Sequence, residues 1–156
     1  MSYLGEIRKR VGSRRIFVPG VRAILPNGAG EILLQRRTDS GLWGIPGGSV
    51  ELDETPFEAL RREVEEETSL KVIEAEPMGL YCGPHQKFAY PNGDQVQCFA
   101  LAFIVRKWKG TPRADGREGS MIRFFQTSRL PEDLVPVHRA TIEDFLRYDG
   151  SFFLSG

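Results

Sequence analysis

The sequence predicts a layered α/β or α+β domain, with a mixed sheet flanked by helices. Segments patterned like strands and segments patterned like helices follow one another in mixed order along the chain, which is typical of this class. The chain has 156 residues, enough for one compact domain that buries most of its apolar surface. A content of 40% hydrophobic and 27% charged residues is that of an ordinary globular protein.

The first third of the chain predicts a short helix, two strands and a loop. Residues 2–10 can form an amphipathic helix, and 16–25 and 31–37 are patterned as strands. The turn signal Pro26-Asn27-Gly28 lies between the two strands and indicates a hairpin. Residues 39–48 are rich in glycine and turn formers, so we expect a structured loop there.

The helix after this loop has the clearest signals in the chain. A threonine, a proline and a glutamate form an N-terminal capping box: Thr55, Pro56 and Glu58. Apolar residues then recur at spacings of three and four: Phe57, Leu60 and Val64. This spacing predicts one buried stripe, so the helix should pack against the rest of the domain.

The second half of the chain predicts three more strands and a final helix. The strands lie at 72–82, 96–105 and 121–126, with a loop at 90–94 between the first two. Apolar residues in 136–148 are spaced for one face of a helix.

Charge and composition argue against nucleic-acid and membrane partners. Lys and Arg (21) balance Asp and Glu (21), so no net field favours a polyanionic surface. The basic N-terminus lacks the apolar core of a signal peptide, and no apolar run approaches the roughly 20 residues of a membrane span. We therefore expect a cytoplasmic protein. Cys82 and Cys98 fit two small buried side chains, although a disulfide between neighbouring strands is also compatible with the sequence.

The helix after the loop carries an unusual density of carboxylates. Glu63, Glu66 and Glu67 lie at i, i+3 and i+4, so they project from one patch of helix surface. Three carboxylates so close repel each other unless a cation lies among them, and oxygen ligands suit Mg²⁺ or Mn²⁺ rather than zinc. A solvated acidic face is the alternative, and spacing alone does not decide between the two.

A longer pattern runs from Gly48 to Leu70. It has Gly48, five residues, Glu54, seven residues, and then Arg-Glu-Val-Glu-Glu-Glu-Thr-Ser-Leu from Arg62 onwards. This pattern resembles the Nudix box, and residues 34–37 and 43–48 resemble the stretch that leads into it. The resemblance implies a single Nudix hydrolase domain over residues 1–156, with its box at 48–70. Its fold would be an α/β/α sandwich, a mixed central sheet flanked by helices.

Two positions depart from the family pattern. Ser69 stands where a glycine is expected near the end of the helix, and Asp53 stands where glycine is frequent. A serine in a left-handed conformation should cost about 1 kcal/mol. Neither change removes a carboxylate, so we expect catalysis to be intact.

The resemblance also implies an activity and a set of site residues. Family members hydrolyse a phosphoanhydride bond in a nucleoside diphosphate linked to another group, with Mg²⁺ or Mn²⁺ as cofactor. It implies a small nucleotide as substrate, and relatives are commonly homodimers. The expected metal ligands are Glu54, Glu63, Glu66 and Glu67, and the expected catalytic residues are Arg62, Glu66, Glu67 and Glu118.

Residues outside the core of the box have alternatives beside their expected roles. Glu118, in a turn-forming loop before a strand, is a candidate general base or further metal ligand, or else an exposed loop charge. Gly48, Glu51 and Arg37 are the candidate substrate-binding residues. Gly48 would let backbone approach the ligand, Glu51 would assist the metal, and Arg37 is one of four arginines that could meet phosphate.

Aromatic side chains could stack on a nucleobase, although most should be core: Trp43, Tyr81, Phe88, Tyr90 and Phe124. His85 and His138 are expected to be surface or capping residues. Three alternatives to nucleotide hydrolysis stay open. They are a catalytically silent nucleotide sensor, an enzyme that removes 5′-terminal phosphates from RNA, and an isoprenoid-diphosphate isomerase. The complete set of box carboxylates argues against the first, the balanced charge against the second, and the lack of a recognisable cysteine loop against the third.

Overall fold

The computed structural model describes residues 2–155 and contains three α-helices and nine strands within them. The helices are Tyr3–Val11 (α1), Pro56–Thr68 (α2) and Pro136–Leu146 (α3), and a single 3-10 turn spans Pro84–Gln86. The first five strands are Ile16–Ile24 (β1), Glu31–Arg37 (β2), Trp43–Gly44 (β3), Gly47–Ser49 (β4) and Lys71–Tyr81 (β5). The last four are Lys87–Ala89 (β6), Gln95–Lys109 (β7), Gly119–Gln126 (β8) and Phe153–Ser155 (β9).

The strands form two sheets. The larger is mixed and has the order β4-β1-β7-β5-β9, with β6 also paired to β7. In it β1 and β7 are parallel over nine residue pairs, whereas β5 is antiparallel to β7. The smaller sheet is antiparallel, with the order β3-β2-β8.

Helices cover both faces of the larger sheet. On one face, Leu60 and Val64 of α2 pack in a cluster with Val21 and Phe103 of the sheet. On the other face, Phe145 of α3 packs against strand residues of β5 and β7. The arrangement is a mixed sheet flanked by helices, so the predicted fold class is confirmed, and the apolar stripe of α2 faces the sheet as expected.

The predicted hairpin of β1 and β2 is wrong, because the two strands belong to different sheets. They touch only near the turn, through a bridge between Pro26 and Ile32 and a hydrogen bond from the Leu33 N–H to the Leu25 carbonyl (3.1 Å). Each strand pairs over most of its length with a strand far along the chain: β1 pairs with β7, and β2 pairs with β8. Local turn chemistry signalled the reversal correctly, but pairing between distant segments decided the partners.

The other differences concern short elements and ends. Residues 39–48, expected as a loop, contain β3 and the first residues of β4, whose two- and three-residue pairings are too short to give a periodic pattern. The final helix ends at Leu146 rather than residue 148. Within residues 2–155, no helix is both long and apolar enough to cross a membrane.

Candidate active site

Helix α2 is fixed at both ends, which places its carboxylates. The Thr55 hydroxyl accepts a hydrogen bond from the Glu58 N–H, and the Glu58 carboxylate accepts one from the Thr55 N–H, so the predicted capping box is present. At the other end Ser69 has the left-handed conformation, with φ 62° and ψ 13°. Since Leu60 and Val64 anchor the helix in the core, Glu63 and Glu67 are held against the loop before it.

Three carboxylates meet beside this loop: those of Glu63, Glu67 and Glu118. One oxygen from each lies within 4.8 Å of the other two. Glu63 and Glu67 are buried, whereas Glu118 is exposed. The expected triad of Glu63, Glu66 and Glu67 is therefore not the set that the structure brings together, because Glu66 points to solvent and lies 3.5 Å from Arg62.

Glu118 lies in the turn immediately before β8, a strand of the smaller sheet. Asp115 accepts hydrogen bonds from the backbone N–H groups of Arg117, Glu118 and Gly119, which shapes the turn. The pairing of β2 with β8 shifts by one residue between Arg36 and Arg37, opposite this turn. Such irregularities redirect side chains next to functional sites, and this one lies where Glu118 turns towards α2.

Glu67 is the most deeply buried of the three carboxylates. Its Oε2 accepts a hydrogen bond from the Gly47 N–H (2.8 Å), and its Oε1 is buried with no hydrogen-bond partner among the described residues. Burial raises the pKa of Glu67 to about 8, and the nearby charges of Glu63 and Glu118 add to the effect. Burial also raises the pKa of Glu63, against the opposing hydrogen bond from Arg62.

Arg62 donates hydrogen bonds to two glutamates of this region, Glu54 and Glu63. Its guanidinium donates to both oxygens of Glu54 (2.7 and 2.9 Å), to Glu63 (2.6 Å) and to the Ser49 carbonyl (3.0 Å). The hydrogen bonds to Glu54, more than any other contact, raise the pKa of Arg62 above its ordinary value. The planar fork of arginine suits this bidentate arrangement, so Arg62 holds Glu63 in position from behind.

The other predicted residues of this region have different contacts. Glu54 is engaged by Arg62 and also accepts from the Glu51 N–H (3.0 Å), so its carboxylate is not part of the three-carboxylate cluster. The Glu51 carboxylate accepts from the Tyr3 N–H at the start of α1 (2.8 Å). Arg37 forms a bidentate pair with Asp39 (2.9 and 2.6 Å).

Gly48 makes room for a carboxylate. A Cβ added at Gly48 would lie 2.5 Å from the carboxyl carbon of Glu63. At the neighbouring Gly47, where φ is 148°, an added Cβ would lie 2.1 Å from the Val21 carbonyl oxygen. The glycine at 48 therefore admits the Glu63 side chain, which is a more specific reason than the expected approach of backbone to ligand.

The three-carboxylate cluster fits a divalent cation. Carboxylate oxygens are the ligands that Mg²⁺ and Mn²⁺ prefer, and two of them bound to one Mg²⁺ lie at most about 4.2 Å apart. The exposed Glu118 side chain can move by the small remaining distance. A bound cation would also supply the missing partner of Glu67 Oε1 and offset the repulsion among three acidic groups.

A groove continues from this site, and sequence reasoning missed one of its residues. It begins at Gly47 and Gly48, and its walls include Phe88, Tyr90 and His138. His138, expected to be a surface or capping residue rather than a catalyst, is half-buried near the start of α3. Its Nδ1 accepts a hydrogen bond from the Ile45 N–H (3.0 Å). This contact joins residues 93 positions apart, and no local pattern signals it.

The remaining candidates divide between core and surface. Tyr81 is buried and donates to Asp144 (2.9 Å), Trp43 is buried against Phe125, and Phe124 packs on the core, so three of the five aromatics are structural. His85 is exposed, as expected. Cys82 and Cys98 are both free thiols, and burial raises the pKa of Cys98.

Comparison with known proteins gives consistent matches. Residues 16–145 match the family model described as the NUDIX domain. A candidate 8-oxo-dGTP diphosphatase of Bacillus subtilis (strain 168) is 32% identical over 130 residues, which are 83% of this chain and 80% of that protein. A MutT-like protein of Streptomyces ambofaciens is 44% identical over 117 residues, 75% of this chain and 69% of its own. A crystal structure of the MutT NUDIX hydrolase from Burkholderia pseudomallei superposes with a TM-score of 0.70 at 26% identity, over 83% of this chain and 98% of that one.

Proposed function

Because this chain belongs to the NUDIX domain family and is a hydrolase of phosphorus-containing acid anhydrides, we propose that it cleaves a nucleoside diphosphate linked to another group, with Mg²⁺ or Mn²⁺. The observation that carries the proposal is the cluster of Glu63, Glu67 and Glu118. Glu66, exposed one turn away from Glu63, would be a further ligand. Glu54 and Arg62 position the cluster.

The chemistry needs a cation because a pyrophosphate carries several negative charges that repel an attacking water. When bound, Mg²⁺ neutralises these charges, orients the phosphate oxygens and lowers the pKa of water. Glu63 and Glu67, with Glu118, would hold the cation. Glu118, the exposed member of the set, is either a third ligand or the general base that accepts a proton from the attacking water.

The residues around the cluster keep the carboxylates in place. Arg62 fixes the orientation of Glu63 (2.6 Å), and the Gly47 N–H fixes that of Glu67 (2.8 Å). Fixed ligands need little rearrangement as the reaction proceeds, which is the main way a protein contributes to metal-assisted hydrolysis.

Replacement of Glu67 by glutamine tests the site. Glu67→Gln keeps the shape of the side chain and removes a ligand charge, so kcat/KM with Mg²⁺ should fall on the order of 10³-fold, the equivalent of several kcal/mol. Glu65→Gln is the matched control, since Glu65 is an exposed glutamate on the same helix that pairs only with Lys71 (3.5 Å). Full Mg²⁺-dependent turnover by Glu67→Gln would refute the assigned site.

A substrate panel tests the reaction. Phosphate or pyrophosphate release is measured with nucleoside triphosphates, oxidised triphosphates, ADP-ribose, dinucleoside polyphosphates, nucleotide sugars and 5′-triphosphorylated RNA, under Mg²⁺ and under Mn²⁺. We expect metal-dependent turnover of small nucleotides in preference to RNA. If the folded protein binds nucleotide but turns over no compound under either metal, it is a sensor instead.

A further inference from the structure

A groove in two connected parts begins at Gly47 and Gly48, the glycines that lie against Glu67 and Glu63. The part beside Gly47 and Gly48 has a cavity volume of about 90 Å³, and the outer part about 250 Å³. Four residues line both parts: Arg37, Phe88, Tyr90 and His138. If the diphosphate of a substrate lies at the carboxylates and its nucleoside enters the groove at Gly47 and Gly48, the nucleoside would contact these side chains.

The neutral imidazole ring of His138 has one N–H proton, and a neighbouring backbone group determines which ring nitrogen carries it. Its Nδ1 accepts a hydrogen bond from the Ile45 N–H (3.0 Å), so that nitrogen carries no proton and the proton must be on Nε2. The Nδ1–Cε1 edge lies against Gly44, where an added Cβ would be 3.0 Å from Nδ1 and 3.2 Å from Cε1. Burial, with the positive charges of Arg22 and Arg37, lowers the pKa of His138 well below its ordinary value, so the ring stays neutral.

The other ring nitrogen, Nε2, is the one left for a ligand. His138 lines both parts of the groove, and its Nε2 has no hydrogen-bond partner among residues 2–155. Since this nitrogen bears the proton, it presents one donor to the groove and cannot accept. The Ile45 N–H, by donating to Nδ1, determines that the proton is on Nε2.

The carboxylate that lines the groove is already paired with an arginine. Asp39 is the only carboxylate that lines it in the described structure, and both its oxygens are engaged by Arg37. Arg37 itself can only donate. Phe88 and Tyr90, whose ring centroids are 4.8 Å apart, give the same region aromatic surface. The groove thus combines aromatic walls with the donors of Arg37 and His138, beside hydroxyl groups that can donate or accept.

We infer that the His138 Nε2–H donates to a carbonyl oxygen of the substrate's nucleobase, so that the enzyme selects bases with an exocyclic oxygen over those with an exocyclic amino group at the same position. The inference rests on the proposed function and names a substrate class for it. An oxygen at that position accepts the hydrogen bond, whereas an amino group sets donor against donor and leaves the histidine unpaired. His138 is then a specificity-determining residue.

Matched substrates test the selection. ITP and ATP differ in having an oxo or an amino group at one purine position, and UTP and CTP differ in the same way in a pyrimidine. We expect kcat/KM for the oxo member of each pair that is turned over to be about tenfold higher, the effect of one hydrogen bond with its partner lost. Calorimetric binding of IMP against AMP, and of UMP against CMP, with Mg²⁺ gives the same comparison without turnover.

Two variants of His138 distinguish the role of Nδ1 as an acceptor from the role of Nε2 as a donor. His138→Asn can keep an acceptor for the Ile45 N–H but has no donor at the Nε2 position, so the oxo preference should fall to about onefold. His138→Gln places an amide N–H close to the Nε2 position and should retain most of the preference. Thermal melting of both variants shows that each is folded.

The outcomes separate the inference from the proposed function. Turnover of triphosphates with equal rates within each pair, or a preference that survives in His138→Asn, overturns the role of His138 alone. A preference seen in monophosphate binding without turnover of any nucleotide supports the role of His138 and contradicts the proposed hydrolysis. Neither binding nor turnover of any pair overturns both.

Discussion

At the scale of single residues, Arg62 joins more parts of the site than any other side chain. It contacts Glu54, Glu63 and the Ser49 carbonyl, which come from the loop before α2, from the helix itself and from β4. A lysine has the same charge but cannot make parallel hydrogen bonds to both oxygens of one carboxylate.

Arg62→Lys should therefore weaken the metal site while leaving the fold. We expect the concentration of Mg²⁺ required for half-maximal activity to rise roughly 10- to 100-fold, as for other residues that orient metal ligands. Arg61→Lys is the control, because Arg61 lies exposed over the Phe57 ring (5.6 Å) on the same helix. An unchanged Mg²⁺ requirement in Arg62→Lys would show that the bidentate contact does not position Glu63.

Gly48 gives a second prediction at this scale. In Gly48→Ala the new methyl group collides with the Glu63 carboxylate, so the side chain of Glu63 has to leave its place. Activity at saturating Mg²⁺ should fall at least about tenfold with little loss of thermal stability. Gly28→Ala is the control, since within residues 2–155 no atom beyond the adjacent residues lies within 4 Å of a Cβ there. If Gly48→Ala retained wild-type kinetics, the space at Gly48 would not matter to the site.

At the scale of elements, structure set by local interactions is predictable from the sequence, whereas structure set by contacts between distant segments is not. Helix α2 was predictable because its capping box and its apolar stripe are local patterns. The partner of β1 was not predictable, because β7 lies about 80 residues later and the register pairs Ile16 with Val96. The two- and three-residue strands carry no period at all, so only tertiary contacts define them.

The end of α2 allows a prediction on stability. Ser69 has φ 62°, a left-handed conformation in which a Cβ costs about 1 kcal/mol. Ser69→Gly should therefore stabilise the protein by up to about 1 kcal/mol, less a contribution from the greater freedom of the unfolded chain, and raise Tm by roughly 2–4 °C. The measurement is calorimetric Tm, with Ser69→Ala as the control that should give no gain. Equal melting of the glycine and alanine variants would exclude backbone strain at this helix end.

At the scale of the whole molecule, the site is formed by residues from segments that are far apart in the sequence. Glu63 and Glu67 come from a helix that packs on the larger sheet, whereas Glu118 precedes a strand of the smaller sheet. Spacing on the helix predicts a metal site at Glu63, Glu66 and Glu67, but helical periodicity cannot report a carboxylate that lies about 50 residues later in the chain. Only the family resemblance pointed to Glu118, and neither pattern nor resemblance pointed to His138.

His138 also couples the packing of the molecule to pH. In the folded protein, burial, together with the charges of Arg22 and Arg37, lowers its pKa well below the value of about 6.5 expected in the unfolded chain. Between these two values the unfolded chain binds a proton that the folded protein does not. The contribution to stability is therefore complete above pH 6.5 and is lost as pH falls towards the folded pKa.

The size of this loss can be measured against a variant that does not titrate. As pH falls from 7 to 5, wild-type stability should drop more steeply than that of His138→Asn, by at most about 1.4 kcal/mol per pH unit below 6.5. Urea unfolding of both proteins at several pH values isolates the histidine, since every other ionisable group is common to the pair. Parallel pH profiles would mean that His138 becomes protonated in the folded state. The Ile45 N–H would then lose its acceptor, and the Nδ1 contact that joins the start of α3 to the segment between β3 and β4 would have to open.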